Sequence, residues 1–164
     1  MDLFILRHGK AGQSPGGPDD GARALTSEGR SEIRKVGRWM RSKKLRFDVI
    51  ATSPLTRANE TAEIVVRSLG RKGQPETWDE LAPGGDPDTV CYHAAQYGKD
   101  AAVLIIGHEP ALSLLIGKII SRGGIVSLVL AKGGLAKIRN YSFDGQPSGE
   151  LQWLLTPRQM MAMQ

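Results

Sequence analysis

Alternating apolar strands and amphipathic helices, joined by short loops, predict an α/β protein built as a three-layer α/β/α sandwich with a mostly parallel sheet. Three observations carry this. Leu3–Leu6 and Ala102–Ile106 are unbroken apolar runs, the mark of strands covered on both faces. Between such strands, segments like the one before Ser42 repeat apolar residues at helical spacing, with Ile33, Val36 and Met40 on one face. The last two strand segments flank a turn at Asp144-Gly145, so at least one strand there runs antiparallel.

The elements follow in order. The first strand, Leu3–Leu6, stops at Arg7-His8-Gly9, and Gln13 to Gly21 is a Gly/Pro/Ser/Asp loop expected to move when the site is empty. Thr26 or Ser27 caps a helix running to about Ser42. Phe47–Ala51 forms a second strand ending at Thr52-Ser53-Pro54, with Pro54 expected in the first turn of a helix that reaches about Gly70. That helix carries Ala58, Ala62, Val65 and Leu69 on one face. Thr77-Trp78 is a short extended piece, and Pro87 to Tyr97 is helical. The strand Ala102–Ile106 gives way to Gly107-His108-Glu109-Pro110. The next helix buries Leu112, Leu115, Ile116, Ile119 and Ile120 and stops at Arg122-Gly123-Gly124. Gly134–Asn140 and Glu150–Leu155 are the late strands, and the Met-rich tail from Thr156 carries no signal.

With 164 residues, 40% hydrophobic and 24% charged, a single domain with a real core is expected. No apolar run reaches the length of a membrane span, and Met1-Asp2-Leu3 enters a strand without a basic-then-apolar leader; a cytoplasmic protein with no membrane partner is expected. Cys91 is alone, which removes disulfides and cysteine metal clusters, and its helical setting suggests a structural thiol. Net charge is +5, with eight Lys/Arg against Glu32 between Arg30 and Arg46. Arg30, Arg34, Arg38 and Arg41 share a helix face, either solvated or a steering surface for an acidic or phosphorylated partner.

Three strand-to-helix junctions repeat one pattern. Leu6 gives way to Arg7-His8-Gly9, Ala51 to Ser53-Pro54 with Arg57 one turn on, and Ile106 to Gly107-His108. If the strands are parallel neighbours, Arg7, His8, Arg57 and His108 converge beyond their carboxyl ends, where open α/β sheets hold ligands. Two guanidiniums and two imidazoles suit a tetrahedral dianion, and Gly9 would let backbone approach it. A neutral His8 can attack phosphorus while Arg7, Arg57 and a protonated His108 neutralise the equatorial oxygens. Those cations take a metal's place, and no metal-ligand spacing is visible, so neither metal nor cofactor is expected. Ser53 either donates to phosphate or caps the helix, and Glu80 is either a proton donor or a rim carboxylate. His93 lacks such a setting and is expected on a helix surface.

These residues resemble the histidine phosphatase superfamily, the phosphoglycerate mutase-like proteins: Arg7-His8-Gly9, then Ser53-Pro54 with Arg57-Ala58 and Thr61-Ala62, then Gly107-His108. Within it, Arg7-His8-Gly9-Lys10-Ala11, Leu25-Thr26 with Gly29-Arg30, and Leu81-Ala82-Pro83-Gly84-Gly85-Asp86 look like SixA-type phosphohistidine phosphatases, although Lys10 stands where some relatives carry an acid. The resemblance implies a mixed six-stranded sheet, His8 as phosphorylated nucleophile, and phosphoryl binding by Arg7, Arg57 and His108. Roughly thirty residues separate Gly70 from Ala102, too few for the large helical lid that many relatives insert there. An open site fits a phosphoryl group carried on a signalling protein as phosphohistidine. A small phosphorylated metabolite and a phospho-ligand binding module without turnover are the alternatives. Nucleic acid is not expected as a partner, since no base-reading motif accompanies the basic helix.

Overall fold

The computed structural model describes residues 1–13, 20–121 and 126–163. Six strands form one mixed sheet: β1 (Asp2–Arg7), β2 (Val49–Thr52), β3 (Glu76–Thr77), β4 (Ala102–Gly107), β5 (Leu135–Asp144) and β6 (Gln146–Leu155), in the order β3-β2-β4-β1-β5-β6. β1 pairs in parallel with β4, β4 with β2, and β2 with β3; β5 runs antiparallel to β1 and to β6. The expected α/β sandwich with a mixed, mostly parallel six-stranded sheet is the observed fold.

The two-residue period of the strands separates two cores. Leu3 and Ile5 of β1, with Val103 and Ile105 of β4, pack under α3 (Pro87–Ala95) and α4 (Ala111–Ser121) through Val90, Ala94, Leu115 and Ile116. Phe4, Leu6, Leu104 and Ile106 point to the other face, against α1 (Ser27–Ser42) and α2 (Thr56–Ser68) through Ile33, Val36, Met40, Ala62 and Val65. Burying each large side chain contributes about 1.5–3 kcal/mol, so an apolar run serving both faces stabilises all three layers at once. Cys91 lies in the first core at 1% exposure, and burial pushes its thiol up to about 11; it is a packing residue.

Several boundaries differ from the sequence reading. α2 begins at Thr56 with Leu55 as N-cap, so Pro54 precedes the helix instead of opening it. The short third strand is Glu76–Thr77, while Trp78 follows it into the core. α3 ends at Ala95, two residues before Tyr97. The late strands are each ten residues long and meet at Gly145, whose φ of +67° suits a tight hairpin. An irregularity between Arg139 and Ser142, with Asn140 at φ +52°, breaks the two-residue alternation and made β5 look shorter. The tail forms α5 (Pro157–Ala162), closed by a capping box between Thr156 and Gln159 and anchored by fully buried Met160. The caps of α1 follow expectation: Thr26 Oγ1 accepts from the Gly29 amide. The expected mobile loop falls mostly on residues 14–19, and the expected end of α4 at Arg122-Gly123-Gly124; both lie outside the described residues.

Candidate active site

β1, β4 and β2 are consecutive and parallel in the sheet, so their carboxyl ends place residues 7–8, 107–108 and 52–53 side by side. The His8 amide donates to Gly107 O (3.2 Å), and the Ser53 amide to Ile106 O (3.0 Å), extending the ladder into the site. The His8 and His108 rings lie 5.0 Å apart between centroids. Both are buried, at 7% and 3% exposure, and Arg57, from the first turn of α2, is buried at 5%.

Hydrogen bonds define the state of His8. Its Nδ1 lies 2.7 Å from Gly9 O, and a carbonyl only accepts, so Nδ1 carries the proton. The lone pair is therefore on Nε2, where Arg57 Nε–H donates at 3.3 Å. Burial first, then the charges of Arg57, Arg7 and Lys132, pushes the His8 imidazole down to about 4, against the pull of the Gly9 bond. Burial, followed by His8 and Arg57, pushes His108 down to about 3. At neutral pH the protein's own groups thus hold both imidazoles neutral. The protonated His108 of the sequence reading needs the negative charge of a bound anion to offset these terms.

Arg7 leaves the end of β1 and donates from Nη1 to Leu130 O (3.0 Å), while its Nε is buried without a partner among the described residues. His108 Nδ1 is in the same condition. Buried donors and acceptors of this kind ordinarily have partners. Ser53, fully buried, bridges His108 Nε2 (2.8 Å) and the Leu55 amide (3.3 Å), so it orients the imidazole and shapes the turn into α2.

Glu80 is placed differently. Its carboxylate takes His93 Nδ1 at 2.6 Å and makes no hydrogen bond or ion pair with Arg7, His8, Arg57 or His108. His93 in turn stacks on Trp78 (3.9 Å between centroids), so the expected surface histidine is a half-buried plate that holds Glu80. Gly9 also departs from expectation. Its amide donates to Thr61 Oγ1 (3.2 Å), and an added Cβ would lie 2.7 Å from Ile33. The missing side chain lets α1 close on the site instead of admitting an anion.

Three supports had no role in the sequence reading, although Thr61 belongs to the motif that carries the resemblance. Thr61 Oγ1 links Gly9 to the Arg57 carbonyl (2.7 Å), tying the first and second junctions together. The turn after Leu130 closes the β1 end, with Gly133 N bridging Arg7 O (3.1 Å) and His8 O (3.2 Å) at φ +68°. The Gly133-Gly134 pair was its only visible signal. Asp20 takes the Arg57 guanidinium, with Oδ2 accepting from Nη2 at 2.8 Å and its backbone oxygen from Nη1 at 2.6 Å.

The basic run lies elsewhere. Hollows of about 570 Å³ and 370 Å³ are lined by Arg41, Lys44 and Arg46, and by Arg34, Arg38 and Arg67. They sit by the C-terminal halves of α1 and α2 and the segment leading into β2, at the opposite edge of the sheet from His8. Arg30 leaves that face to pair with Glu60 at 2.7 Å.

The model of the histidine phosphatase superfamily (branch 1) matches residues 3–83. Phosphohistidine phosphatase SixA of Escherichia coli (strain K12) is 28% identical over 159 residues, covering 96% of this chain and 94% of that protein. A structure of the protein histidine phosphatase SixA complexed with tungstate superposes with a TM-score of 0.84 at 28% identity, over 96% of this chain and 98% of that one. A 2,3-bisphosphoglycerate-dependent phosphoglycerate mutase of Methylobacterium sp. (strain 4-46) is 38% identical over 80 residues, but over only 48% of this chain and 38% of that protein. A family match through the first two junctions, carried to the other end of the chain by the SixA likeness, makes this chain similar to the histidine phosphatase superfamily along nearly its whole length.

Proposed function

We propose that this chain is a metal-independent phosphatase that takes a phosphoryl group onto His8 Nε2 and passes it to water, acting on phosphohistidine carried by a signalling protein. The observation that carries the reading is the state of His8: Nδ1–H held by Gly9 O, Nε2 unprotonated, and a guanidinium at that same nitrogen.

The chemistry follows from these groups. Nε2 attacks phosphorus in line with the substrate nitrogen; the new N–P bond forms as the substrate N–P bond breaks. The leaving imidazole takes its proton from solvent, so no enzymic acid is required, and Glu80 is held by His93. Arg7, Arg57 and His108 neutralise the phosphoryl oxygens, and the two guanidiniums do so without a metal ion. Bound dianion raises the pKa of His108, which then donates to a phosphoryl oxygen. Ser53 fixes that ring. Water next attacks phosphorus, the N–P bond to His8 breaks with its electron pair returning to Nε2, and the water oxygen leaves in orthophosphate with one of its protons while the other passes to solvent. The buried Arg7 Nε and His108 Nδ1 are the kind of polar atoms that an acceptor-rich tetrahedral group satisfies.

A protein-borne substrate is favoured by what lies between α2 and β4: β3, a single turn at Asp79–Leu81, and α3. With this single domain and no large lid, the phosphoryl site stays open to a side chain presented by another protein. Both proteins would meet in the cytoplasm. The test is a chelator-treated substrate screen with phosphorylated histidine-phosphotransfer protein, an aryl phosphate and a metabolite panel, repeated with His8→Ala. Release of phosphate fastest from the phosphohistidine protein, and none in the variant, is expected. Turnover surviving in His8→Ala would end the mechanism; a preferred metabolite would move the substrate to a small phosphoester; phosphate binding without turnover would leave a binding module.

A further inference from the structure

Each of the three nitrogens of Arg57 donates a hydrogen bond. Its Nε serves His8, and both terminal nitrogens are taken by one residue, Asp20: Nη2 by the carboxylate at 2.8 Å and Nη1 by the backbone oxygen at 2.6 Å. A guanidinium fork binds carboxylate and phosphate in the same planar, two-pronged way. The fork that would clamp a phosphoryl group is therefore already engaged by Asp20, one prong by its carboxylate and the other by its backbone oxygen. The two partners are unlike in setting: the Arg57 side chain is 6% exposed and that of Asp20 is 55% exposed. The buried cation stays, and the solvated carboxylate is the partner that can leave.

Its destination is also built in. Asp20 Oδ1 pairs with Arg23 Nη1 at 2.7 Å, while Arg23 Nε donates to Gly12 O at 2.8 Å. Arg23 is thus tethered to the backbone and keeps hold of the carboxylate when Arg57 releases it. Both guanidiniums hold the Asp20 carboxyl below the usual carboxylate range, so it remains an anion wherever the enzyme works.

We propose that Asp20 is an internal competitor for the phosphate clamp: its carboxylate occupies Arg57 in the resting site, gives way to the phosphoryl group, and returns to help expel orthophosphate. This rests on the phosphatase reading above and adds a specificity-setting residue to that site. Orthophosphate among two guanidiniums and two imidazoles would otherwise be a tenacious product. A competing carboxylate weakens its hold without touching the nucleophile.

The experiment is titration of orthophosphate into the wild-type protein and the Asp20→Asn, Asp20→Ala and Arg57→Ala variants, alongside steady-state kinetics on an aryl phosphate. Asp20→Asn keeps an oxygen that can accept from Arg57 but loses the charge; Asp20→Ala loses both. Competition requires both to bind phosphate tighter, by roughly fivefold to tenfold, with KM falling and kcat unchanged or lower as product release slows. If Asp20 merely positions Arg57, Asp20→Ala binds phosphate more weakly, KM rises, and Asp20→Asn restores most of the loss; that result, or unchanged affinity, overturns the proposal. Arg57→Ala locates the binding: if the wild type binds no phosphate that this substitution removes, the phosphatase reading falls and the competitor with it.

Discussion

Two cationic regions occupy opposite edges of the same sheet, and they differ in everything except sign. At the carboxyl ends of β1, β2 and β4, Arg57 and two imidazoles are almost completely buried and bonded to one another, to the side chains of Ser53 and Asp20, or to neighbouring backbone. At the other edge Arg34, Arg38, Arg41, Lys44 and Arg46 are exposed, and their side chains make no hydrogen bond or ion pair among the described residues. The second region supplies much of the net charge of +5, yet water screens it. The first adds little net charge because its imidazoles are held neutral, yet the low dielectric around it makes each dipole and cation count. Net charge is a poor guide to where chemistry is done; burial with fixed hydrogen bonds is a better one.

The comparison breaks most visibly at Arg57. Arg57→Ala should lower kcat/KM on an aryl phosphate by about 100- to 1,000-fold, with Arg57→Lys recovering only part because an ammonium cannot make the fork. A loss no larger than that of an exposed arginine would erase the distinction between the regions.

Stability against pH sharpens it next. Folding lowers the pKa of both His8 and His108, so below about pH 6.5 the unfolded chain binds more protons than the folded one. Stability is therefore full above that pH and declines as pH falls, by on the order of 4 kcal/mol between pH 7 and 5, about 2 kcal/mol for each imidazole. Urea unfolding at the two pH values measures it, and His8→Gln or His108→Gln should flatten the slope. A slope unchanged in both variants would show that the imidazoles are not held neutral.

The smallest effect belongs to the basic edge. Replacing Arg34, Arg38 and Arg41 together by Gln should leave kcat/KM on the aryl phosphate within about twofold and stability within ~0.5 kcal/mol. A tenfold loss on that small substrate would mean the far edge takes part in catalysis.

Some of this was legible in advance for a simple reason: buried parallel strands are written as contiguous apolar runs, and Leu3–Leu6 and Ala102–Ile106 needed no tertiary context to be read. The junctions after them carried Arg7, His8 and His108 on the same evidence. α5 was missed although Thr156 and Gln159 form a capping box, because its buried apolar content is only Pro157 and Met160. Gly9 was misread because a missing side chain says that something comes close without saying what; here it is Ile33. Glu80 and His93 looked separate at thirteen residues apart, and only the packing of α3 over Trp78 joined them.

What this chain determined locally was the strand-helix alternation, the two-faced core and the chemical identity of the four groups at the strand ends, since these depend on short-range periodicity and residue type. What only the tertiary structure decided was protonation and engagement. That His8 is neutral with its lone pair on Nε2 follows from a neighbour's carbonyl and from burial beneath three segments. That the Arg57 fork is held by Asp20 follows from a contact 37 residues apart in sequence. Charge states and hydrogen-bond partners are set by whatever the fold brings within a few ångströms, and that distance is not encoded in neighbouring letters.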